Sequence, residues 1–202
     1  QYNNVAISVS ENYTYDKEIL NSEIDKLKKY TRYVFNENKL IKNLNNNHDI
    51  VSYLMLFMNY YSSKILINNN CGIFRSVSNN SKHIPENIPD ELYKFINIWN
   101  NSSGQYTINK CSHDLLSFDS YTHITSPMRR LIDLLNTISL QKALNIYTFS
   151  NKATEFYNMW INKLDYINTA TRSIRKIQLD CNLLNWCNSQ TNLTSRLFEG
   201  YI

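Results

Sequence analysis

The hydrophobic positions of this chain fall mostly at helical spacing. Leu20, Ile24, Leu27 and Val34 follow Asp16 as one stripe, with Glu23 and Lys26, and Asp25 and Lys29, spaced for exposed ion pairs. After a polar linker at 43–47, His48 and Asp49 lead into a second stripe of Ile50, Val51, Leu54, Phe57, Met58, Tyr61 and Ile65. Its apolar arc is wide, which predicts a buried helix. A third stripe begins directly after Thr125-Ser126-Pro127 and carries Leu131, Leu134, Leu135, Ile138, Leu140 and Ala143. The longest runs from Asn151 to Trp186 through Ala153, Phe156, Trp160, Leu164, Ile167, Ala170, Ile174, Ile177, Cys181 and Leu184, and reads as one helix. A short helix from Pro89, with Leu92, Phe95, Ile96 and Trp99, follows a loop at 76–88.

Strand signals are few. The β-prone run from Val5 to Ser10 predicts a short strand, and a turn at 68–72 precedes another at Ile73-Phe74-Arg75. The pattern predicts an α+β, mainly helical fold of short strands and long packed helices. Only 3 Gly and 3 Pro punctuate 202 residues, which favours that class over a many-stranded barrel.

Composition narrows the function classes. The length suits one domain with a real core. A net charge of +4 permits a polyanionic partner without requiring one. Cys71, Cys111, Cys181 and Cys187 lack metal-ligand spacing, and the reading is of reduced thiols in an intracellular protein. No signal peptide or bilayer-spanning apolar run stands out, so no membrane partner is expected. The chain starts without Met and stops abruptly at Glu199-Gly200-Tyr201-Ile202, so it reads as a piece of something longer.

Chemistry concentrates in Tyr121–Asp133, YTHITSPMRRLID. Thr125 or Ser126 is placed to cap a helix with Pro127 at its first position. Arg129 and Arg130 then fall in the first turn, where cations oppose the macrodipole at about 0.3–1 kcal/mol each. An anion seated on the helix end, phosphate above all, accounts for two arginines there. The alternative is that Arg130 pairs with Asp133 and Arg129 is solvated. Arg172, Arg175 and Lys176 form a second basic cluster, read first as a solvated helix face and second as a phosphate groove.

This stretch resembles the signature of the RNB family, the ribonuclease II, ribonuclease R and Dis3-like 3′→5′ exoribonucleases. Tyr121, His123, Thr125, Ser126, Pro127, Arg129, Arg130, Asp133 and Leu134 fit its pattern Tyr-x-His-Phe-Thr-Ser-Pro-Ile-Arg-Arg-Tyr-x-Asp-Leu. Weaker likenesses flank it: Thr14-Tyr15 after the first strand, Met55 and Asn59 in the second helix, Arg75, and Tyr106, His113 and Leu116 upstream of the signature. The chain departs from the family where Ser52 and Tyr53 replace a glutamate pair and Val77 replaces a histidine. The family's Arg-x-x-x-Gly-Ala segment is also missing.

The resemblance implies the C-terminal half of an RNB-type domain over residues 1–202, with 199–202 resembling the start of an OB-type barrel. It implies a Mg²⁺-dependent hydrolysis of single-stranded RNA. Arg129 would face the scissile phosphate as the catalytic residue, and Tyr121, His123, Thr125, Ser126 and Arg130 would bind RNA. His113 and His123 would orient rather than act as bases. The aspartates that hold Mg²⁺ belong to the family's first half, and the Asp residues here are scattered. They would come from a preceding segment or a partner chain. The alternatives are a degenerate, inactive RNB-like module serving a larger RNA-containing or viral assembly, and an RNA-binding module without catalysis.

Overall fold

A computed structural model of the chain describes residues 3, 5–9, 22–38, 40, 44–77, 88–89, 92, 104–190 and 197. The chain divides into two compact units, Gln1–Tyr157 and Asn158–Ile202. In the first lie helix α1 (Ser22–Glu37), helix α2 (Asn47–Asn68), strand β1 (Phe74–Ser76), strand β2 (Gln105–Thr107), a 3₁₀ turn (Asp114–Leu116) and helix α3 (Leu131–Ala143). Helix α4 (Asn151–Ile161) contains the boundary, and helix α5 (Leu164–Ser189) lies in the second unit. The mainly helical α+β class stands.

Helix α2 starts where its sequence says it should. Asn46 accepts from the Asp49 N–H at 2.8 Å while the Asp49 carboxylate takes the Asn46 N–H, a reciprocal capping box. Tyr53, one of the two residues in place of the glutamate pair, is fully buried. Its hydroxyl donates to the Val34 carbonyl at 3.0 Å and the Asn38 carbonyl at 2.8 Å, tying α2 to the end of α1. Phe35 meets the same ring edge-on at 5.6 Å.

By length and composition α2 could cross a bilayer, which corrects the expectation that no run would. Its face is nevertheless a protein core face. Ile50, Tyr53 and Leu66 are buried, and so are Asn59, Ser62 and Ser63, which the apolar pattern does not foretell. Leu66, Phe74, Ile124 and Leu140 pack as one buried cluster, so α2, β1, the signature segment and α3 meet there.

The turn after α2 is as expected. Asn70 sits at φ 50° and Gly72 at φ 98°, and a Cβ on Gly72 would come within 2.9 Å of the Leu66 side chain. Strand β1 pairs antiparallel with β2, Arg75 opposite Tyr106. Strand β2 was not anticipated from the sequence, although Gln-Tyr-Thr after a turn is a fair strand signal.

Two expectations need correction. Residues 5–9 carry no ladder, and Val5, Ile7 and Val9 are exposed, so the predicted first strand does not form among the described residues. β-propensity makes a run extended, but a strand needs a partner edge. The long Asn151–Trp186 helix is two helices, α4 and α5. The break lies at 162–163, where Lys163 N–H closes a tight turn onto the Trp160 carbonyl at 3.1 Å. From Ile174 onward the α5 stripe (Ile174, Ile177, Leu184) is exposed, as are Arg172, Arg175 and Lys176. The expected Thr14-Tyr15 helix entry, the Pro89 helix beyond Leu92 and the 199–202 barrel start lie outside the described residues.

Candidate nucleic-acid interface

The signature segment is placed by buried amides and a buried carboxylate. Asn136 of α3, fully buried, grips the backbone of Ile73: its Oδ1 accepts the Ile73 N–H at 2.7 Å and its Nδ2 donates to the Ile73 carbonyl at 2.9 Å. The same Nδ2 reaches Thr122 Oγ1 at 2.6 Å and the His123 carbonyl at 3.0 Å. Thr122 in turn donates to the Ile73 carbonyl at 2.6 Å, and Arg75 N–H donates to the Tyr121 carbonyl at 2.8 Å. From α2, Asn59 accepts the Ile124 N–H at 3.0 Å and donates to the Tyr121 hydroxyl at 2.9 Å. One step earlier, the Ser63 and Ser120 hydroxyls bond at 2.9 Å. Buried polar networks of this kind fix a geometry because each unpaired member would be costly.

Asp133, on the first turn of α3, sets the end of the segment. It is fully buried, and its Oδ2 accepts the Ser126 N–H at 2.7 Å and an Arg130 Nη2 proton at 2.9 Å. Arg130 Nε also lies 2.9 Å from Oδ1, as an ion-pair contact rather than an aligned hydrogen bond. The expected cap therefore does not form. Ser126 offers its carbonyl to the N–H groups of Arg129 and Arg130, making one isolated turn over Pro127–Arg129. Arg130 is then extended, at φ −129° and ψ 119°, and α3 begins only at Leu131 with no side-chain cap. Both arginines precede the helix instead of occupying its first turn. Asp133 occupies it, with the sign the macrodipole prefers.

This arrangement separates the predicted site residues. Tyr121 is core: its ring is buried against His113, Phe118 and His123, and burial pushes its hydroxyl pKa up, partly offset by the Asn59 bond. Tyr121, expected to contact RNA, is 3% exposed. His123 is half-buried and shares a 2.8 Å hydrogen bond between its Nδ1 and the Tyr106 hydroxyl. Thr125 is half-buried, with its hydroxyl oxygen enclosed and without a partner among the described residues. Ser126 is half-buried, and Arg130 is committed to Asp133. Arg129 alone of the signature's cations is exposed and makes no ion pair among the described residues, beside a fully exposed Met128.

Beneath the turn, Arg75 is buried with its guanidinium over the Tyr106 ring at 4.9 Å. Gly104 is glycine for a reason of space, since a Cβ there would lie 2.5 Å from Arg75 Nη2. His113 is buried too, its Nδ1 without a hydrogen-bond partner among the described residues. Burial lowers its pKa, and the Arg75 charge acts in the same direction. Its backbone bridges to Val77, the residue in place of the family's histidine. Asn59 and Asn136 are the residues that sequence reasoning missed as organisers. Their signal was position: a polar side chain inside an apolar helical stripe.

The carboxylates here do not fit Mg²⁺. Asp133 is saturated by Arg130 and Ser126, Asp119 pairs with Lys64, and Asp114 accepts from Ser112. Among the described residues no three His, Cys, Asp or Glu side chains converge. A divalent-metal centre needs several oxygen ligands together.

The architecture defines a class: a mainly helical α+β domain built around a polar-clamped Thr-Ser-Pro turn. The chain belongs to the RNB domain family, whose model matches residues 8–146. It is similar in fold to Mycoplasma genitalium RNase R in complex with double-stranded RNA, at 17% identity over 67% of this chain and 31% of that one, with a TM-score of 0.51. It is also similar to the same enzyme in complex with ribose methylated single-stranded RNA, at 18% identity over 69% and 28%, with a TM-score of 0.50. The matched region is thus about a third of those chains. No curated protein matches the chain.

Proposed function

We propose that this chain is the C-terminal half of an RNB-type 3′→5′ exoribonuclease domain that acts on single-stranded RNA, with its Mg²⁺ ligands supplied from outside the described residues. The observation that carries the reading is Arg129. It is an exposed, uncompensated cation at the tip of a turn held by Asn59, Asn136 and Asp133. A guanidinium carried on a fixed turn can stabilise charge developing on a phosphate. Arg129 is the catalytic residue of this reading. Arg130, neutralised by Asp133, and Ser126 shape the turn. The half-buried His123 and Thr125 line the adjoining surface where RNA would run. The RNA complexes of the similar RNase R structures support the partner class.

A second reading, a degenerate RNB-like module kept for assembly, is favoured by Tyr53. A residue in place of the glutamate pair has become a buried pin between α1 and α2. The complete polypeptide containing this chain, incubated with 5′-labelled RNA and Mg²⁺, separates the two. The enzyme shortens RNA stepwise and loses that activity on Arg129→Ala. A scaffold leaves the RNA intact with or without the substitution.

A further inference from the structure

A pocket of about 300 Å³ opens where α2 and α3 end beside α4, away from the signature turn. That volume is at the small end of ligand sites. Its lining mixes two chemistries: Ala143 and Phe149 are apolar, while Cys71, Ser139, Tyr157 and Lys142 are polar or ionisable. Ser139 Oγ donates to the Leu135 carbonyl at 3.0 Å and bonds the Tyr157 hydroxyl at 2.8 Å, which joins α3 to α4 along this lining. Lys142 lies near enough to Cys71 to act on its thiol, although burial dominates and pushes the thiol pKa up.

The charge of this lining decides the ligand. Among the described lining residues Lys142 is the one cation, and none is a carboxylate. Two helix C-termini end nearby, and their dipoles favour a cation. They are largely silenced. The Ile65, Leu66 and Ile67 carbonyls of α2 accept from residues 69–71, and the Leu140, Gln141 and Lys142 carbonyls of α3 accept from residues 144–146. A full charge on Lys142 then outweighs the residual partial charges.

We propose that this pocket binds a small carboxylate with an apolar body, of the size of an aromatic acid. The ring lies against Ala143 and Phe149, and the carboxylate meets Lys142. Nothing in this binding depends on the RNA reading.

The test uses Cys71 as the reporter and the exposed Cys181 as internal reference. The intact protein is alkylated with iodoacetamide, and each cysteine's rate is read by peptide mass spectrometry across a benzoate titration. Benzoate should slow Cys71 and leave Cys181 unchanged. Lys142→Met should raise the benzoate concentration needed by about tenfold, the loss expected of a charge-assisted hydrogen bond. Lys142→Arg should restore most of it. Lys142 is exposed, so neither variant threatens the fold, and an unchanged thermal midpoint checks this. Three results would each overturn the proposal: no protection of Cys71 by benzoate, equal protection by benzamide, or equal protection by inorganic phosphate.

Discussion

Asn136→Ala removes one amide from the joint between α3, β1 and the signature segment, and the structure allows its cost to be worked out. Ile73 N–H loses its acceptor at 2.7 Å, and a buried donor left unpaired costs about 1–3 kcal/mol. The His123 carbonyl loses its donor, which adds about 1 kcal/mol. The Ile73 carbonyl loses little, because Thr122 still donates to it at 2.6 Å. The void left by the shorter side chain adds about 1 kcal/mol. The sum is about 3–5 kcal/mol, a large part of the roughly 5–15 kcal/mol that holds a domain folded. Urea unfolding followed by far-UV circular dichroism measures it. Asn69→Ala is the control, since that exposed amide gives one bond to Ile65 and should cost under about 1 kcal/mol. A loss below about 1 kcal/mol for Asn136→Ala would refute the reasoning. The segment would then be held by apolar packing of Ile73 and Ile124, with the amide incidental.

Tyr53→Phe should cost about 0.5–1.5 kcal/mol by removing the hydroxyl that ties α2 to the Val34 and Asn38 carbonyls, which keep the backbone N–H groups of Asn38 and Leu40 as donors, and hydrogen exchange should quicken in α1 before α3. If α1 amides keep their protection, the hydroxyl is not the pin. His113 gives a pH dependence. Its folded pKa lies below the ordinary value of about 6.5, so its contribution to stability is fully present above that pH and is lost as pH falls toward the folded value. Asp119, also lowered, acts in the same direction but only below about pH 4, and its exposure makes it weak. His113→Gln should flatten the stability slope between about pH 6.5 and 5, and an unchanged slope would place the acid sensitivity elsewhere.

Much of the fold was legible because periodicity reports burial. The stripe from Ile50 to Ile65 and the one from Leu131 to Ala143 both became helices, and Gly72 marked its turn. The start of α3 was misplaced because Thr-Ser-Pro is a good local cap signal, while the competing acceptor, Asp133, is seven residues from Ser126. The break at 162–163 left no mark, since Asn and Lys are acceptable in a helix. The clamp was hidden by the background: among so many Asn residues, Asn59 and Asn136 look ordinary until their place inside apolar stripes is weighed. The signature marked the turn of interest, but not which residues face outward. Pattern matching assigns Tyr121 and Arg129 alike, and only packing separates a buried ring from an exposed guanidinium.

The central claim is that the clamped turn exists to present Arg129 to a phosphate. Its most direct measurement is degradation of 5′-labelled single-stranded RNA by the complete polypeptide in Mg²⁺, wild type beside Arg129→Ala. Stability should match within about 0.5 kcal/mol, because Arg129 touches no described partner. The account predicts stepwise shortening by the wild type and none by the variant, with RNA binding weakened and its salt dependence reduced by about one phosphate contact. Equal degradation by both proteins, or equal RNA binding by both, would contradict it.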